Sequence, residues 1–284
     1  MDPSFWWTLV DVEFIISILT MIYYSWILFI MLSSTSTVFR SAFFRIFIVT
    51  GFFDIQAIVV AEWIRADQRL GFGPNYELVT RTMYGFTGSH FFTHIFGCFL
   101  MTLNRHMAVC HPNAYEKWWT PRAVNIMLLV EILLSFVVHT QLFLIPFGYE
   151  WSGNRWIRTG RLKPIPFIRI MSTSVVILYE VASVVLIAIT IYALTKLGHV
   201  IRGKRFWQEM GLVTVIAIDC VLGAVDCIYE ASDLFGFKNT NNPIIRWINE
   251  HYCLLLFLIV SMNSYSIIFM STDLRRAVVR TYRK

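Results

Sequence analysis

The chain of 284 residues is 57% hydrophobic and 15% charged, and its mean hydropathy is +0.60. A soluble domain carries about 25% charged residues, so this composition excludes an ordinary soluble protein and indicates that the lipid bilayer is the solvent. The net charge of +6 favours contact with anionic membrane lipid, and no basic groove with interleaved aromatic residues points to a nucleic-acid partner.

Apolar windows of about 20 residues, the length that crosses a hydrocarbon core about 30 Å thick, recur along the whole chain. They predict seven spans, at residues 14–32, 46–64, 82–103, 123–145, 170–194, 211–230 and 252–270. The connectors between the windows are short, which leaves no room for a second domain. We therefore predict one all-α domain over residues 1–284, a seven-transmembrane helix bundle.

The charges around the first window predict the orientation of the bundle. Asp2, Asp11 and Glu13 precede this window, whereas Arg40 and Arg45 follow it. The positive-inside rule then puts the N-terminus outside the cell. The start of the chain lacks the basic region of a cleaved signal peptide, so the first window is expected to remain as a helix. After the seventh window, apolar residues alternate with arginines, which predicts a short amphipathic helix on the cytoplasmic side.

Ionisable residues inside the windows are functional hypotheses, because a charge within a membrane is costly unless it is paired. The windows contain Asp54, His90, His94, Glu131, His139, Glu180, Asp219, Asp226 and Glu230. Some of them are expected only to bridge helices by hydrogen bonds. We assign a ligand pocket to Thr87, His90, Phe91, Glu180, Asp226 and Glu230. For Asp226 and Glu230, pairing with Arg246 or with the basic outer loop is an equal alternative.

Metal and disulfide chemistry receive little support from the spacing. His90 and His94 lie four residues apart, but no third ligand is fixed by the sequence, so we predict no metal and no cofactor. The five cysteines form no CxxC pair. A bridge between Cys227 and Cys253, which are both expected near the outer ends of neighbouring helices, stays open.

The third window ends in Asn104-Arg105-His106, with Pro112 six residues later. This segment resembles the Asp-Arg-Tyr motif of rhodopsin-like receptors, whose arginine pairs with an acid at rest and contacts a G protein when the receptor is active. Asparagine replaces the acid here, so we predict that Glu209 is the resting partner of Arg105. The alternative is an ordinary helix end whose arginine meets lipid phosphates. The resemblance implies G-protein coupling through Arg105, His106, Lys204, Arg205 and Glu209.

Two further positions resemble the same receptors. Asp54 lies in the middle of the second window, and Asn263-Ser264-Tyr265 in the seventh window resembles a degraded Asn-Pro-x-x-Tyr motif. Because the second, third and seventh helices are neighbours in the resembled fold, we predict a polar centre of Asp54, His94 and Asn263. This centre is expected to act either as a rearranging switch or as a static bridge.

Longer motifs extend the resemblance over nearly all of the chain. They are Phe43-Phe44-Arg45-Ile46-Phe47, Leu103-Asn104-Arg105, Tyr115-Glu116-Lys117-Trp118-Trp119 and Ser261-Met262-Asn263-Ser264-Tyr265-Ser266. The chain resembles nematode serpentine chemoreceptors of the Srg superfamily, class V or class gamma. The resemblance implies a receptor in the plasma membrane of sensory cilia. It also implies that the receptor detects a small molecule and activates a heterotrimeric G protein.

Other functions are weighed against this one. A transporter that uses the intramembrane acids is the main alternative, although no internal repeat is visible. A membrane enzyme is less favoured, because no Ser-His-Asp order stands out. Thr87 occupies the place of the aspartate that binds biogenic amines, which disfavours those ligands. The seventh window has no lysine for a retinal Schiff base, which excludes an opsin.

Overall fold

The computed structural model describes residues 11–197, 204–234 and 242–282, and it is mostly helical. In chain order the helices are α1 (Val12–Ser33), α2 (Ala42–Leu70), α3 (Glu77–Cys110), α4 (Pro112–Trp118), α5 (Pro121–Val138), α6 (Thr140–Leu144), α7 (Pro166–Leu197), α8 (Lys204–Leu234), α9 (Pro243–Glu250), α10 (Tyr252–Met270) and α11 (Thr272–Tyr282). Single 3-10 turns occur at Thr37–Arg40 and Pro74–Tyr76. Two strands, β1 (Phe147–Trp151) and β2 (Trp156–Arg161), form an antiparallel hairpin between α6 and α7.

Six helices are long and apolar enough to cross a membrane by length and composition. Their qualifying segments are Val12–Ser33, Ala42–Leu70, Pro121–Val138, Ile170–Lys196, Glu209–Ser232 and Tyr252–Phe269. The long helix α3, which contains the predicted third span, is not among them, because histidine, threonine and glycine interrupt the apolar sequence between Thr82 and Leu103. It packs against α2, α5, α6, α7 and α8. A helix surrounded by protein tolerates polar side chains that a lipid-facing helix does not.

Local sequence explains most helix ends. Asp11 caps α1 by accepting a hydrogen bond from the Phe14 N–H at 2.9 Å. Gly71 ends α2 in the left-handed conformation, at a φ of 62°, which glycine adopts without strain. Thr120 caps α5, and Pro121 occupies its first turn. These signals lie outside the apolar windows.

The fourth predicted window, 123–145, is divided into two helices at His139. The Thr140 hydroxyl donates to the carbonyls of Phe136 and Val137 at 3.1 and 2.9 Å. The His139 ring contacts the Ser135 carbonyl at 2.8 Å. Side chains thus engage carbonyl oxygens in the last turn of α5, where the regular helix stops.

The hairpin is an addition to the all-α fold that the sequence predicts. It covers one end of the bundle, because Arg158 of β2 pairs with Asp67 of α2 at 2.8 Å. Arg161 donates to the carbonyls of Leu142 and Ile145 at 2.9 and 2.8 Å. The basic residues of this loop therefore fasten it to the ends of α2 and α6.

The core and the outer surface are both apolar, as a membrane protein requires. The largest fully buried side chains include Tyr24, Phe43, Phe47, Met101 and Ile267. Large apolar residues remain exposed at helical spacing on α5 and α7, namely Leu129, Leu133, Val137, Leu178, Val181 and Val185. Apolar surface of this extent needs lipid or another apolar partner.

Candidate functional site

A cluster of buried polar side chains joins α1, α2, α3, α8 and α10 in the middle of the bundle. We call it the polar core, and its members are Tyr24, Asp54, His94, Cys98, Asp219 and Asn263. Asp54 lies at the centre of the cluster: its Oδ1 is 2.7 Å from His94 Nδ1, and its Oδ2 accepts a hydrogen bond from Tyr24 at 2.8 Å. The structure therefore brings the predicted residues Asp54 and His94 into contact.

The third predicted member of the centre, Asn263, contacts neither of those two residues through the hydrogen bonds of the described chain. Its Nδ2 donates to Cys98 Sγ at 3.3 Å, and Cys98 Sγ lies 3.7 Å from His94 Nε2. The same nitrogen of His94 is 3.3 Å from Oδ1 of Asp219 on α8. Sequence reasoning recognised Asp219 as an interior acid but did not join it to His94. Tyr24 carried no signal that distinguished it from other aromatic residues.

Arg105 lies near the C-terminal end of α3, where it contacts α8. Its Nη1 is 3.1 Å from Glu209 Oε2, and its Nε and Nη2 donate to Asn104 Oδ1 at 3.1 and 2.5 Å. The guanidinium lies 4.9 Å from the centre of the Phe43 ring. Only 8% of the Arg105 side chain is exposed, against 25% of that of Glu209. Glu209 therefore contacts Arg105, the residue whose partner the sequence predicted it to be.

The other residues assigned to G-protein contact have different surroundings. His106 is buried, and its Nδ1 lies 3.1 Å from the Thr190 hydroxyl of α7. It therefore packs within the bundle rather than extending from it. Lys204 and Arg205 form the start of α8, and their side chains lie outside the described residues.

A cavity of ≈ 440 Å³ opens between the hairpin and the helix ends beneath it. Of the residues assigned to a ligand pocket, Thr87, Phe91 and Glu230 line this cavity. Its volume falls within the range of small-molecule sites. Sequence reasoning missed the hairpin and helix residues that complete the wall, which include Tyr84, His139, Arg158, Arg161 and Tyr252.

The other three residues assigned to the pocket lie elsewhere. His90 stacks on the Phe86 ring, with the two ring centres 5.2 Å apart. Glu180 accepts a hydrogen bond from the Cys220 thiol at 3.0 Å. Asp226 borders a second, small cavity nearer to the polar core. The helical period put these residues on interior faces, but it does not tell which interior residues border a cavity.

The large cavity has basic and acidic walls. The Arg158 guanidinium, paired with Asp67, lies 4.1 Å from the centre of the Tyr84 ring. Burial, together with the charge of Arg158, lowers the pKa of Arg161 to about 10, so that this arginine remains charged at neutral pH. Glu230 lies on the α8 side and accepts a hydrogen bond from Thr173 at 3.3 Å. The cavity therefore offers fixed charges of both signs beside aromatic rings.

An ion-pair network ties the start of α1 to the end of α2. Arg65 contacts Asp11 and Glu62 at 2.5 Å each, and Arg69 also pairs with Asp11. Burial raises the pKa of Asp11, but hydrogen bonds from Arg65, the Phe14 N–H and Arg69 outweigh it and lower the pKa to about 2. Asp11 is one of the acids that sequence analysis used to orient the first span.

All five cysteines fall within the described residues, and all are free thiols. The bridge between Cys227 and Cys253 that the spacing left open is therefore not formed. Cys227 instead lies 3.9 Å from the Val176 carbonyl of α7.

The helical bundle, with six helices suited to crossing a membrane, defines a multi-pass membrane protein. The chain belongs to the family described as serpentine type 7TM GPCR chemoreceptor Srv, which matches residues 13–284. A comparison with curated proteins gave no match. The family match confirms the predicted class of serpentine chemoreceptor, which is a class of receptors and not of enzymes. The wider assignment to the Srg superfamily stays a prediction.

Proposed function

We propose that this chain is a receptor that detects a small molecule in the cavity under the hairpin and activates a heterotrimeric G protein at the opposite end of the bundle. In this proposal α3 also crosses the membrane and brings the number of crossings to seven. The N-terminus is outside, and α11 lies on the cytoplasmic surface. The plasma membrane of a sensory cilium is the proposed location. Membership of a chemoreceptor family supports both kinds of partner.

One observation carries the proposal: α3 and α8 face each other at three successive levels. Phe91 and Glu230 both line the large cavity. Further along, His94 meets Asp219 at 3.3 Å, and Arg105 meets Glu209 at 3.1 Å. In this proposal, a movement of α8 at the cavity also changes the contacts that α8 makes at the polar core and with Arg105.

The distance between the two proposed sites suits a transmembrane signal. Arg105 follows Thr87 by eighteen residues of one helix, a rise of about 27 Å. The polar core lies between them. Its hydrogen bonds can exchange partners without repacking the apolar side chains, and this makes it suitable as the coupling element.

The cavity favours a small molecule with polar or charged ends. Arg158 and Arg161 offer positive charge from the hairpin, while Glu230 offers an acceptor from α8. Aromatic rings between them suit an apolar or planar centre. Thr87 contributes a hydroxyl and no charge, and among the described residues that line the cavity Glu230 is the acid that could serve as the counter-ion of a simple amine.

The proposal is tested by calcium imaging of cells that express the chain together with a promiscuous G protein, screened with volatile and water-soluble compounds. Arg105→Ala should abolish the response at equal surface expression. Arg45→Ala is the matched control, because Arg45 contacts Asn125 on the surface at 3.1 Å and touches no residue of α8 through a hydrogen bond of the described chain. A full response in Arg105→Ala refutes the assignment. Ligand uptake without any signal would support a transporter instead.

A further inference from the structure

Three potential metal ligands meet inside the polar core. His94 Nε2, Cys98 Sγ and a carboxylate oxygen of Asp219 lie within 4.8 Å of one another, and all three residues are buried. The separations are 3.3 Å from Nε2 to Asp219 Oδ1 and 3.7 Å from Nε2 to Sγ. Zinc bonds of about 2.1 Å to nitrogen and oxygen and about 2.3 Å to sulfur give tetrahedral edges of about 3.4 and 3.6 Å. The two separations from His94 Nε2 therefore match two edges of a zinc tetrahedron, and all three ligand atoms lie close enough together to share one ion.

Each of these residues is also held by a second group. Asp54 contacts His94 Nδ1 at 2.7 Å, Asn263 donates to Cys98 Sγ at 3.3 Å, and Tyr179 donates to Asp219 Oδ2 at 3.3 Å. A carboxylate on the far nitrogen of a histidine fixes the tautomer that leaves the other nitrogen free to bind metal. An N–H donor to sulfur favours the thiolate, the form of cysteine that binds metal.

The local hydrogen bonding also favours a cation at this point. When neutral His94 donates a hydrogen bond from its Nδ1–H to Asp54, it presents a lone pair at Nε2 towards Asp219 Oδ1. That oxygen is buried and accepts no hydrogen bond from the described residues. Two acceptors that face each other in a buried site are unfavourable unless a cation lies between them.

There is room beside the cluster for a fourth ligand. A cavity of ≈ 10 Å³, about the size of one water molecule, borders His94 and Asp219. Gly223 and Asp226 of α8 also line it. Both carboxylate oxygens of Asp226 are buried and without a hydrogen-bond partner among the described residues, so they are available to a metal-bound water.

We propose that the polar core binds one zinc ion through His94 Nε2, Cys98 Sγ and Asp219 Oδ1, with a water molecule as the fourth ligand. Nitrogen and sulfur donors suit Zn²⁺, whereas Na⁺, Mg²⁺ and Ca²⁺ prefer oxygen alone. On binding, the Cys98 thiol loses its proton to solvent, and the thiolate forms the bond to the metal. The ion joins α3 to α8.

Metal binding is tested on the purified full-length chain in detergent, after treatment with a chelator and gel filtration. Elemental analysis should find one zinc per chain after incubation with Zn²⁺. Co²⁺ bound in its place should show a thiolate-to-cobalt charge-transfer band. That band should disappear in Cys98→Ser, and stoichiometric binding should be lost in Asp219→Asn.

Matched controls separate this site from incidental binding. Cys110→Ser removes another thiol of α3, and Glu131→Gln replaces another buried acid, so both should keep the metal and the cobalt band. Asp54→Asn should keep the site but weaken its zinc affinity by about 10- to 100-fold, as loss of an outer-shell partner does. If the Cys98 and Asp219 variants fail to fold, the cobalt spectrum of the unmodified chain still decides whether a thiolate binds the metal.

Two results would overturn the proposal: a folded chain that retains no zinc, or zinc and cobalt binding that Cys98→Ser leaves unchanged. The second result would mean that a proton on His94, and not a metal, lies between the two acids, and that surface groups bind the ion.

A signalling measurement tests the effect of bound zinc on the receptor. Only this effect, and not the metal site, rests on the proposed function. Because the ion would hold α8 against α3, added Zn²⁺ should reduce ligand-independent signalling of the unmodified chain and leave that of Cys98→Ser unchanged. Zinc binding without this effect would overturn the link between the site and α8 while the metal site itself stands.

Discussion

Replacing Glu209 with glutamine should raise signalling in the absence of ligand. The Arg105 side chain is 8% exposed and that of Glu209 is 25% exposed, and their charged atoms lie 3.1 Å apart. Partial shielding makes this pair stronger than a surface salt bridge, for which about 0 to 1 kcal/mol is usual. In the variant the amide oxygen still accepts a hydrogen bond, and Arg105 keeps both bonds to Asn104.

The loss is therefore the difference between a charge-assisted and a neutral hydrogen bond, about 1 kcal/mol. A contact that exists only in the resting arrangement and weakens by this amount raises the active population about fivefold. Basal signalling through a promiscuous G protein, normalised to surface expression, measures the change. Glu116→Gln, an exposed acid on α4, is the matched control and should have no effect. Unchanged or lower basal signalling in Glu209→Gln would refute the resting pair.

The other predictions concern the polar core, the ion-pair network between α1 and α2, and the cavity. Asp54→Asn and His94→Ala, combined in a double-mutant cycle, should show a larger coupling in ligand-evoked signalling than in thermal stability. Coupling in thermal stability alone would make the contact a static bridge. Additive effects in both measurements would contradict the 2.7 Å contact between the two residues. Asp11→Asn should lower stability by about 1 kcal/mol, after allowance for solvent screening. Because the pKa of Asp11 is lowered from 3.8 to about 2, the variant should lose the full amount of stability above pH 4 and less as the pH falls towards 2. Melting curves that show equal losses of stability at pH 5 and pH 3 would contradict the ion-pair network. Glu230→Gln should reduce ligand potency several-fold at equal surface expression, and unchanged potency for every active compound would remove it from the site.

Hydrophobic length and charge were sufficient to predict the helical class and the windows that the long helices contain. Arg105 and Glu209 could be matched because both are expected near the cytoplasmic ends of their helices, and a buried arginine must find an acid. Asp54 and His94 were matched for a similar reason, since two polar groups at mid-depth have few other partners. The requirement to satisfy charge in a membrane makes such pairs predictable from one sequence.

Contacts that depend on how the helices and the hairpin pack together were not predictable. The hairpin carries Arg158 and Arg161 into the cavity wall, but its strands are short and half-exposed, so their sequence resembles an ordinary basic loop. Asp219 joins His94 only because α8 lies at a particular rotation and height beside α3. His90 shares a helical face with His94 in the sequence, yet aromatic neighbours enclose it. Helical periodicity gives the face of a residue and not the depth or tilt of its neighbours.

The most direct measurement is nucleotide exchange on a purified heterotrimeric G protein, driven by the purified receptor in lipid with a compound found in the screen. We expect ligand-stimulated exchange that Arg105→Ala abolishes, that Arg45→Ala leaves intact, and that Glu209→Gln partly reproduces without ligand. A compound that binds in the cavity yet leaves exchange at its basal rate with every G protein tested would contradict the proposed function.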